Sequence, residues 1–447
     1  MNTKLSLPEP VMEVLSRLNR HGYEAFAVGG CVRDQLLGKV PGDWDVTTSA
    51  TPQEMKEVFG DLPHFDTGIR HGTLTLLVDG LPIEVTTYRV EGTYSDRRHP
   101  DQVTFTRLLA RDLARRDFTV NALAFHPQTG VVDLYGGIGD LTRGILRCVG
   151  EPDRRFQEDA LRILRALRFS AQLGFALEEG TRQGVLRNRG LLTQVAWERI
   201  ACEFQKLLCG RWAVTVLREY LPVIGIFLPE LLPLAGFEQH NPHHIYDIWE
   251  HTLHALELTD PQDRILRWAV LLHDVGKPAC FFLDERGIGH FYGHPQAGEE
   301  LARTMLHRLK LDNDTIQQVC TLIHMHDVAL PENPATIRRW VGKYTLPTIR
   351  QFLAIRRADH GAQAFSQEKE EAIRRWEALL EQTLAENSCC TFRQLAVSGR
   401  DLLALGIPQG PQMGAILQEL LDQVVQGQLP NTPQALLDKA ERLKNHL

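Results

Sequence analysis

The sequence lacks three features that would each indicate a protein class directly. Its 447 residues contain no CxxC pair, so a zinc ribbon or a thioredoxin-like redox site has no support. Basic residues are not in excess: 49 Lys and Arg stand against 56 Asp and Glu, and the net charge of −7 excludes a general positive coat for nucleic acid. No apolar run reaches the roughly 20 residues of a membrane helix.

These absences predict a cytoplasmic protein that does not enter a membrane. The eight cysteines fit a reducing compartment, and the N-terminus has no apolar core of a signal peptide. Hydrophobic residues make up 43% and charged residues 23%, an ordinary globular balance. The length suggests about three domains. Local basic faces remain possible, because the total charge conceals them.

The first candidate catalytic group is a carboxylate pair near the N-terminus. Asp43 and Asp45 come just before apolar and β-branched residues, so they are predicted to open a strand. Residues i and i+2 of a strand share a face, which would let both carboxylates bind a hard cation such as Mg²⁺. Glu84 alternates with apolar neighbours in a second predicted strand and is expected on that same face. An isolated acidic pair of this kind is more often a solvated strand end.

A Gly-Gly turn precedes this pair. Gly29 and Gly30 follow a short apolar run and precede a predicted helix, so backbone N–H groups there could approach phosphate oxygens. Arg33 and Asp34 fall in the first turn of that helix.

A second helix is predicted over residues 160–168, where arginines alternate with leucines. Asp159 lies three residues before Arg162, and residues at this spacing are neighbours on a helix. A carboxylate acceptor beside a guanidinium donor offers hydrogen bonds of both kinds to one ligand. An ordinary surface ion pair is the alternative interpretation of the same spacing.

Taken together and in this order, the motifs closely resemble those of the nucleotidyltransferase superfamily that includes DNA polymerase beta. Within it they are most similar to the bacterial tRNA nucleotidyltransferases and poly(A) polymerases, the class II CCA-adding enzymes. The segments that carry the resemblance are GGCVRD (29–34), GDWDV (42–46), EVTTYR (84–89), RRHPD (97–101), RRDFTVNA (115–122), DLYGG (133–137) and EDALRILRALRF (158–169).

The resemblance implies template-independent addition of CCA to the 3′ end of tRNA, with CTP and ATP as substrates. Asp43 and Asp45 would bind Mg²⁺, Glu84 would be a third carboxylate, and two metal ions would serve an in-line transfer. Asp159 and Arg162 would read the incoming base. The residues implied in nucleotide binding are Gly29, Gly30, Arg33, Asp34, Arg115, Arg116, Asp117, Asn121, Asp159, Arg162, Arg165 and Arg168.

A second set consists of histidines and aspartates. Imidazole and carboxylate ligands suit transition metals such as Zn, Mn, Fe, Ni or Co. Their order along the chain resembles the HD phosphohydrolase domain, an all-helical fold that in related enzymes hydrolyses 2′,3′-cyclic and other phosphoesters. The ligands that this implies are His251, His273, Asp274, His294, either His324 or His326, and Asp359, with Lys277 as the usual lysine after the HD pair. Of the two alternatives, His324 is our first choice.

The resemblance also predicts an α+β multidomain architecture. A small mixed-sheet, polymerase beta-like nucleotidyltransferase head (1–150) would be followed by a helical neck (151–237), an HD metal-binding domain (238–365) and a helical tail (366–447). The neck and the tail are expected to contact tRNA. The oligomeric state cannot be read from the sequence.

Several other functions remain open. A member of the same family could add only CC, only A, or a poly(A) tail, and the segment between Arg89 and Asp101 is expected to influence the switch from C to A. The protein could instead be an HD phosphohydrolase whose head only binds RNA. A non-enzymatic RNA chaperone is the third alternative.

Overall fold

The computed structural model describes residues 5–92, 103–241, 245–330, 332–363, 366–386 and 388–444. The RRHPD motif, and with it most of the segment expected to influence the C-to-A switch, lies outside the described residues. The chain divides into two compact units, Met1–Leu232 with Arg308–Leu311 and Pro233–His307 with Asp312–Leu447. The finer division into four domains stays a prediction.

The first unit begins with alternating helices and strands. These elements are α1 (Glu9–Arg20), β1 (Ala25–Val28), α2 (Gly30–Leu36), β2 (Trp44–Thr48), α3 (Pro52–Val58), β3 (His64–Gly68), β4 (Thr73–Val78), β5 (Leu81–Thr87), β6 (Arg89–Glu91), β7 (Val103–Phe105), α4 (Leu109–Ala114), β8 (Leu123–His126), β9 (Gly130–Asp133), α5 (Gly137–Arg143) and β10 (Ile145–Leu146).

Within the described residues, seven of these ten strands form a mixed sheet in the order β3-β4-β5-β2-β1-β8-β9, and β6 pairs separately with β7. β2 lies near the middle, parallel to β5 and antiparallel to β1. Its apolar side chains are buried; Val46, for example, is 1% exposed. Because β2 is central, residues at its start are held by a neighbouring strand on each side.

Local sequence signals account for two connections in this sheet. Asp79 and Gly80 both have positive φ, 49° and 79°, and close the predicted hairpin between β4 and β5. Thr51 caps α3 by accepting a hydrogen bond from the Glu54 backbone, and the Glu54 side chain accepts one from the Thr51 N–H in return. Both predicted features are confirmed.

The first unit continues almost entirely in helices. Its further elements are α6 (Pro152–Glu158), α7 (Leu161–Leu173), β11 (Ala176–Leu177), α8 (Glu179–Asn188), α9 (Trp197–Leu208) and α10 (Ala213–Ile224). α7 packs against α9 and α10, with buried apolar residues such as Leu164 and Leu167 on its inner face.

The second unit is helical, apart from a short hairpin. Its elements are α11 (Ile248–Glu257), α12 (Arg264–Leu272), α13 (Lys277–Cys280), β12 (Phe282–Leu283), β13 (Gly289–His290), α14 (His294–Arg308), α15 (Asn313–Met325), α16 (Pro334–Lys343), α17 (Leu346–Gly361), α18 (Gln367–Ala385), α19 (Gly399–Ala404), α20 (Pro411–Val425) and α21 (Pro433–Lys444). The predicted fold class, a mixed-sheet head followed by helical regions, is confirmed. Among the described helices, none has both the length and the apolar character needed to cross a membrane.

Candidate functional site

The candidate catalytic carboxylates meet where β2 and β5 run side by side. Asp43 immediately precedes β2, and Asp45 lies opposite Glu84 in the parallel pairing of the two strands. Asp43 and Glu84 are exposed, whereas Asp45 is half-buried. The strand register therefore places a third carboxylate beside the acidic pair, as predicted for Glu84.

Asp45 is the most perturbed of these three groups. Burial, followed by the negative charge of Asp43, raises the pKa of Asp45 to about 6; Arg116 opposes the rise and Glu84 adds to it. The carboxylates thus repel one another, and a divalent cation would relieve this repulsion with the oxygen ligands that Mg²⁺ prefers. Among the described residues, however, the sets of three ligand atoms within 4.8 Å of one another lie in the second unit. The carboxylates of the head lie near one another, but they do not form a set of three ligand atoms within that distance.

The glycine turn before α2 approaches this acidic face closely. Gly29 has φ = 82°, and a Cβ placed on it would lie 3.0 Å from Arg116 Nη1 and 3.9 Å from Asp45 Oδ2. Only glycine accommodates both the positive φ and the contact. The turn therefore brings backbone, an arginine and a carboxylate together, as a site for a phosphate chain beside a cation requires.

A chain of polar contacts runs from α2 to the RRDFTVNA segment. Arg33 pairs with Asp34 at 2.7 Å and donates to Asn121 Oδ1, also at 2.7 Å. The Asn121 amide in turn donates to Asp117 Oδ1 at 3.2 Å. Burial opposes the charge of Asp117, but Arg165 at 2.6 Å outweighs it, so the pKa of Asp117 falls to about 2. These predicted nucleotide-binding residues form one connected network.

Sequence reasoning missed Asp112, which organises the two arginines of that segment. Asp112 is fully buried and accepts from Arg115 at 2.8 Å, from Arg116 at 3.5 Å and from the Thr47 hydroxyl at 3.2 Å. Burial opposes its charge, yet the two arginines hold its pKa below the usual range. Its position three and four residues before the arginines was a readable signal on a helical segment.

The predicted base-reading pair does not lie on one helix. Asp159 ends α6 with extended backbone angles, φ = −139° and ψ = 106°, and α7 begins only at Leu161. The expectation that Asp159 and Arg162 are i, i+3 neighbours on a helix was therefore wrong. Asp159 instead pairs with Arg199 of α9 at 3.2 Å, and Arg162 pairs with Glu158 at 2.8 Å.

The arginines of α7 point into the unit and contact acidic and aromatic partners. Arg168 pairs with Glu203 at 2.8 Å and lies over the Phe169 ring, 4.1 Å from its centroid. Arg165 and Arg33 also lie over this ring, at 5.4 Å and 5.2 Å. A guanidinium within about 6 Å of a ring centroid is attracted by the ring quadrupole. The three arginines are thus pre-positioned around one ring near the Asp117 network.

The second unit contains two adjoining groups of possible metal ligands, which share one aspartate. His251, His273 and Asp274 form the first group, and Asp274, His294 and His326 form the second. Their residues come from α11, the ends of α12 and α15, and the start of α14. Asp359 of α17 joins them, with its Oδ1 2.9 Å from His251 Nε2 and 3.7 Å from His273 Nε2.

All four histidines are oriented in the same way. In His273, His294 and His326 the ring Nδ1 lies 2.6–2.8 Å from the backbone carbonyl three residues earlier, and in His251 it lies 3.3 Å from the Ala362 carbonyl. A carbonyl only accepts, so each Nδ1 must carry a proton, and each Nε2 faces the centre, where it can bind a metal ion once it is unprotonated. This is the arrangement found in metal-binding histidines.

His326, and not His324, belongs to this cluster. His326 is buried, with its Nε2 3.1 Å from that of His294, whereas the His324 side chain is 49% exposed and contacts Glu299 at 2.9 Å. Two residues apart on a helix, the two side chains point about 200° apart. Our first choice of His324 is thus corrected. His326 follows the buried Leu322 and Ile323 by four and three residues, a spacing that could have identified it.

The cluster combines buried charges of both signs. Burial opposes a charge on His273, but Asp274 and Asp359 outweigh it and raise the pKa of His273 to about 10. The same burial opposes ionisation of Asp274, yet the cationic His273 and Lys277 keep its pKa well below the usual range. Lys277 Nζ lies 2.7 Å from Asp274 Oδ2. Four imidazoles and two carboxylates fit one or two transition-metal ions.

A cavity of about 260 Å³ opens onto this cluster. Its lining residues include Asp274, His294, His326 and Asp359, together with His290 and Tyr292. A small molecule from outside can therefore reach the candidate ligands through this cavity.

Comparison with known families supports this description of the two regions. Residues 25–147 match the model described as "Poly A polymerase head domain", residues 174–222 match "Probable RNA and SrmB- binding site of polymerase A", and residues 291–440 match "tRNA nucleotidyltransferase domain 2 putative". The first match spans the carboxylates and the glycine turn.

Curated relatives match almost the whole chain. It is 36% identical to a CCA-adding enzyme of Lactiplantibacillus plantarum over 98% of this chain and 97% of the relative, and 37% identical to one of Levilactobacillus brevis over 96% of each. Among solved structures, the CCA-adding enzyme of Bacillus stearothermophilus in complex with CTP matches with a TM-score of 0.74 and 30% identity, covering 98% of this chain and 99% of that one. The chain therefore belongs to the family of CCA-adding enzymes, which are tRNA nucleotidyltransferases.

Proposed function

We propose that this enzyme adds C, C and A to the 3′ end of tRNA from CTP and ATP, by metal-dependent transfer at the head. The register that places Glu84 beside Asp45, with Asp43 immediately before the same strand, carries this proposal. The similar Bacillus stearothermophilus enzyme has been solved with CTP, which supports a nucleoside triphosphate substrate.

The proposed transfer joins the terminal ribose oxygen of tRNA to the α-phosphorus of the nucleotide. The bond from that phosphorus to the bridging oxygen breaks, pyrophosphate leaves with the electron pair, and the proton of the ribose hydroxyl passes to solvent. Asp43, Asp45 and Glu84 would hold two Mg²⁺ ions, which supply charge neutralisation and Lewis acidity when bound. The Gly29–Gly30 turn and Arg116 would receive the triphosphate, because the turn opens between that arginine and Asp45.

Base selection is assigned to Asp159 and Arg162. A carboxylate accepts hydrogen bonds and a guanidinium donates them, so the pair offers both functions to a base edge. Arg199 and Glu158 would act as positioning residues, since each contacts one member of the pair directly. The network of Arg33, Asp117 and Asn121 would bind the sugar and phosphates.

A test of the head activity uses three tRNA transcripts, ending before CCA, after C and after CC, each with Mg²⁺ and CTP, ATP or both. We expect three added nucleotides, with A added only after CC. Arrest at CC or addition of A alone would indicate a split-function enzyme, and untemplated A runs would indicate a poly(A) polymerase.

Variants connect that activity to the carboxylates. Asp43→Asn and Asp45→Asn should each abolish addition without unfolding the protein, because the amide keeps the shape and removes the charge that binds Mg²⁺. Asp79→Asn is the matched control, since Asp79 is an exposed carboxylate on a hairpin turn of the same sheet. Unchanged addition by the Asp43 and Asp45 variants would refute the proposal.

The second unit supports a second function, metal-dependent hydrolysis of phosphoesters. The convergence of four Nε2 atoms around Asp274, each with its Nδ1 directed at a carbonyl, favours it. His326→Ala should reduce the bound transition metal, measured by elemental analysis, and the hydrolysis of 2′,3′-cyclic AMP. His324→Ala should change neither, because His324 lies outside the cluster. Equal metal content in the unchanged protein, His326→Ala and His324→Ala would contradict the assignment of His326 as a metal ligand.

A further inference from the structure

Three aromatic rings stand together in the second unit, and two of them, His290 and Tyr292, line the cavity. Phe282 of β12 lies opposite His290 of β13, and Tyr292 follows two residues later on the same side. The ring centroids of Phe282 and Tyr292 each lie 5.3 Å from that of His290, with interplanar angles of 27° and 20°. Phe282 and Tyr292 are themselves 5.7 Å apart. We refer to these three residues as the aromatic platform.

The aromatic platform faces outward while the other side of the hairpin is anchored. Phe281 and Phe291 contact each other at 5.4 Å, and Phe291 is 9% exposed. In contrast, Phe282 is 45% exposed and Tyr292 is 75% exposed. The anchored pair accounts for the packing of the hairpin, so the outward rings form an exposed aromatic surface that the core does not need.

This surface is continuous with the candidate metal centre. His290 and Tyr292 line the same cavity as Asp274, His294 and His326. The carbonyl of Phe291, next to Tyr292, accepts from Nδ1 of His294 at 2.8 Å. Asp284 fixes the middle ring, with its Oδ2 3.0 Å from His290 Nε2. The rings are thus held in a fixed relation to the ligands.

We propose that the aromatic platform stacks a nucleobase, and that it makes the second unit selective for phosphoesters that carry one. The inference rests on the phosphohydrolase function proposed above. Stacking uses the π-face that every base has, so selection would distinguish base from no base more than one base from another. In the reaction, a water oxygen bonds to phosphorus, one phosphorus–oxygen bond to the ribose breaks, and the released oxygen takes a proton from the water.

The test compares two five-membered cyclic phosphates, 2′,3′-cyclic AMP and glycerol 1,2-cyclic phosphate, of which the second lacks both the base and the ribose ring; the change that each Tyr292 variant causes on each ester is therefore what is compared. We expect Tyr292→Ala to lower kcat/KM for the nucleotide roughly 10-fold or more, as base–aromatic stacking predicts, and to leave the glycerol ester within about 2-fold. Tyr292→Phe should keep the preference, and Tyr292→Leu, apolar without a π-face, should lose it. Comparing kcat/KM for a short RNA that ends in the same cyclic phosphate with kcat/KM for 2′,3′-cyclic AMP shows whether the stacked base belongs to an RNA end or to a mononucleotide.

A binding measurement without catalysis accompanies the kinetics. Calorimetric titration of adenosine 2′-phosphate in EDTA should show weaker binding by Tyr292→Ala than by the unchanged protein. If Tyr292→Ala lowers kcat/KM equally for both cyclic phosphates, or for neither, the proposal that the aromatic platform stacks a base is overturned. If the unchanged protein hydrolyses neither ester, the proposed phosphohydrolase function fails. The binding measurement then tests base stacking by itself, and equal nucleotide binding by Tyr292→Ala and the unchanged protein would overturn it.

Discussion

At the scale of single residues, Asp45 connects metal binding to pH. Its pKa of about 6 lies above the usual value because burial and Asp43 disfavour the charge. Below pH 6 the carboxyl is protonated and cannot bind Mg²⁺, so we expect the Mg²⁺ concentration for half-maximal addition to rise as pH falls from 7 to 5. The measurement is addition rate against Mg²⁺ at each pH.

The same shift has a consequence for stability without metal. The folded protein holds the Asp45 proton more tightly than the unfolded chain does. The contribution of Asp45 to the free energy of unfolding therefore falls as pH rises from about 4 to about 6, and it is constant above pH 6. In EDTA at pH 8, Asp45→Asn should therefore raise the free energy of unfolding by about 1–3 kcal/mol. Urea unfolding measures this; a lower stability than the Asp79→Asn control would contradict the argument.

Gly29 provides the second residue-scale prediction. Alanine there would adopt an unfavourable φ of 82° and displace Arg116, whose Nη1 would lie 3.0 Å from the new Cβ. We expect Gly29→Ala to lower stability by about 1–3 kcal/mol and to raise the KM for CTP. Gly38→Ala is the control, because Gly38 also has positive φ, 71°, but has no atom within 4 Å of a Cβ. A normal KM in Gly29→Ala would show that the turn does not place the triphosphate.

At the scale of elements, local signals predicted much of the fold and long-range partners decided the rest. The hairpin at Asp79–Gly80 and the α3 cap follow from adjacent residues, and both were predicted. The break between α6 and α7 was not, because residues 158–169 favour a helix throughout. Asp159 accepts one hydrogen bond locally, from the Leu161 N–H at 3.1 Å, and one from Arg199, forty residues along the chain, a contact that no local pattern announces.

Asp112 shows how one buried carboxylate joins elements around the site. It contacts Thr47 of β2 and the arginines that follow α4, so it aligns the acidic strand with the proposed phosphate contacts. Asp112→Asn should lower stability by about 2 kcal/mol and also raise the KM for both nucleotides. The measurements are urea unfolding and addition kinetics.

Asp140 provides the matched control for the Asp112 variant. It too is buried, accepts from a threonine hydroxyl, Thr119, at 2.7 Å, and pairs with an arginine three residues later, Arg143, at 2.7 Å. Asp140→Asn should lose comparable stability and keep its KM. If both variants raise the KM equally, the effect of Asp112 is structural and not positional.

At the scale of the whole molecule, the two candidate centres lie in different compact units. His273→Ala should abolish metal-stimulated hydrolysis and leave nucleotide addition within about 2-fold, since no residue of the head network is altered. Both activities are measured on the same preparation, with circular dichroism as the check on folding. Loss of addition in a folded His273→Ala protein would show that the centres are coupled.

The shared position of Asp274 has an evolutionary consequence. Because this one carboxylate belongs to both ligand groups, its loss removes both halves of the centre at once. An asparagine codon is one base change from an aspartate codon and would preserve the packing. A lineage that no longer needed the hydrolysis could therefore lose it in a single mutational step, while the surrounding histidines persisted in its genome as traces of the former activity.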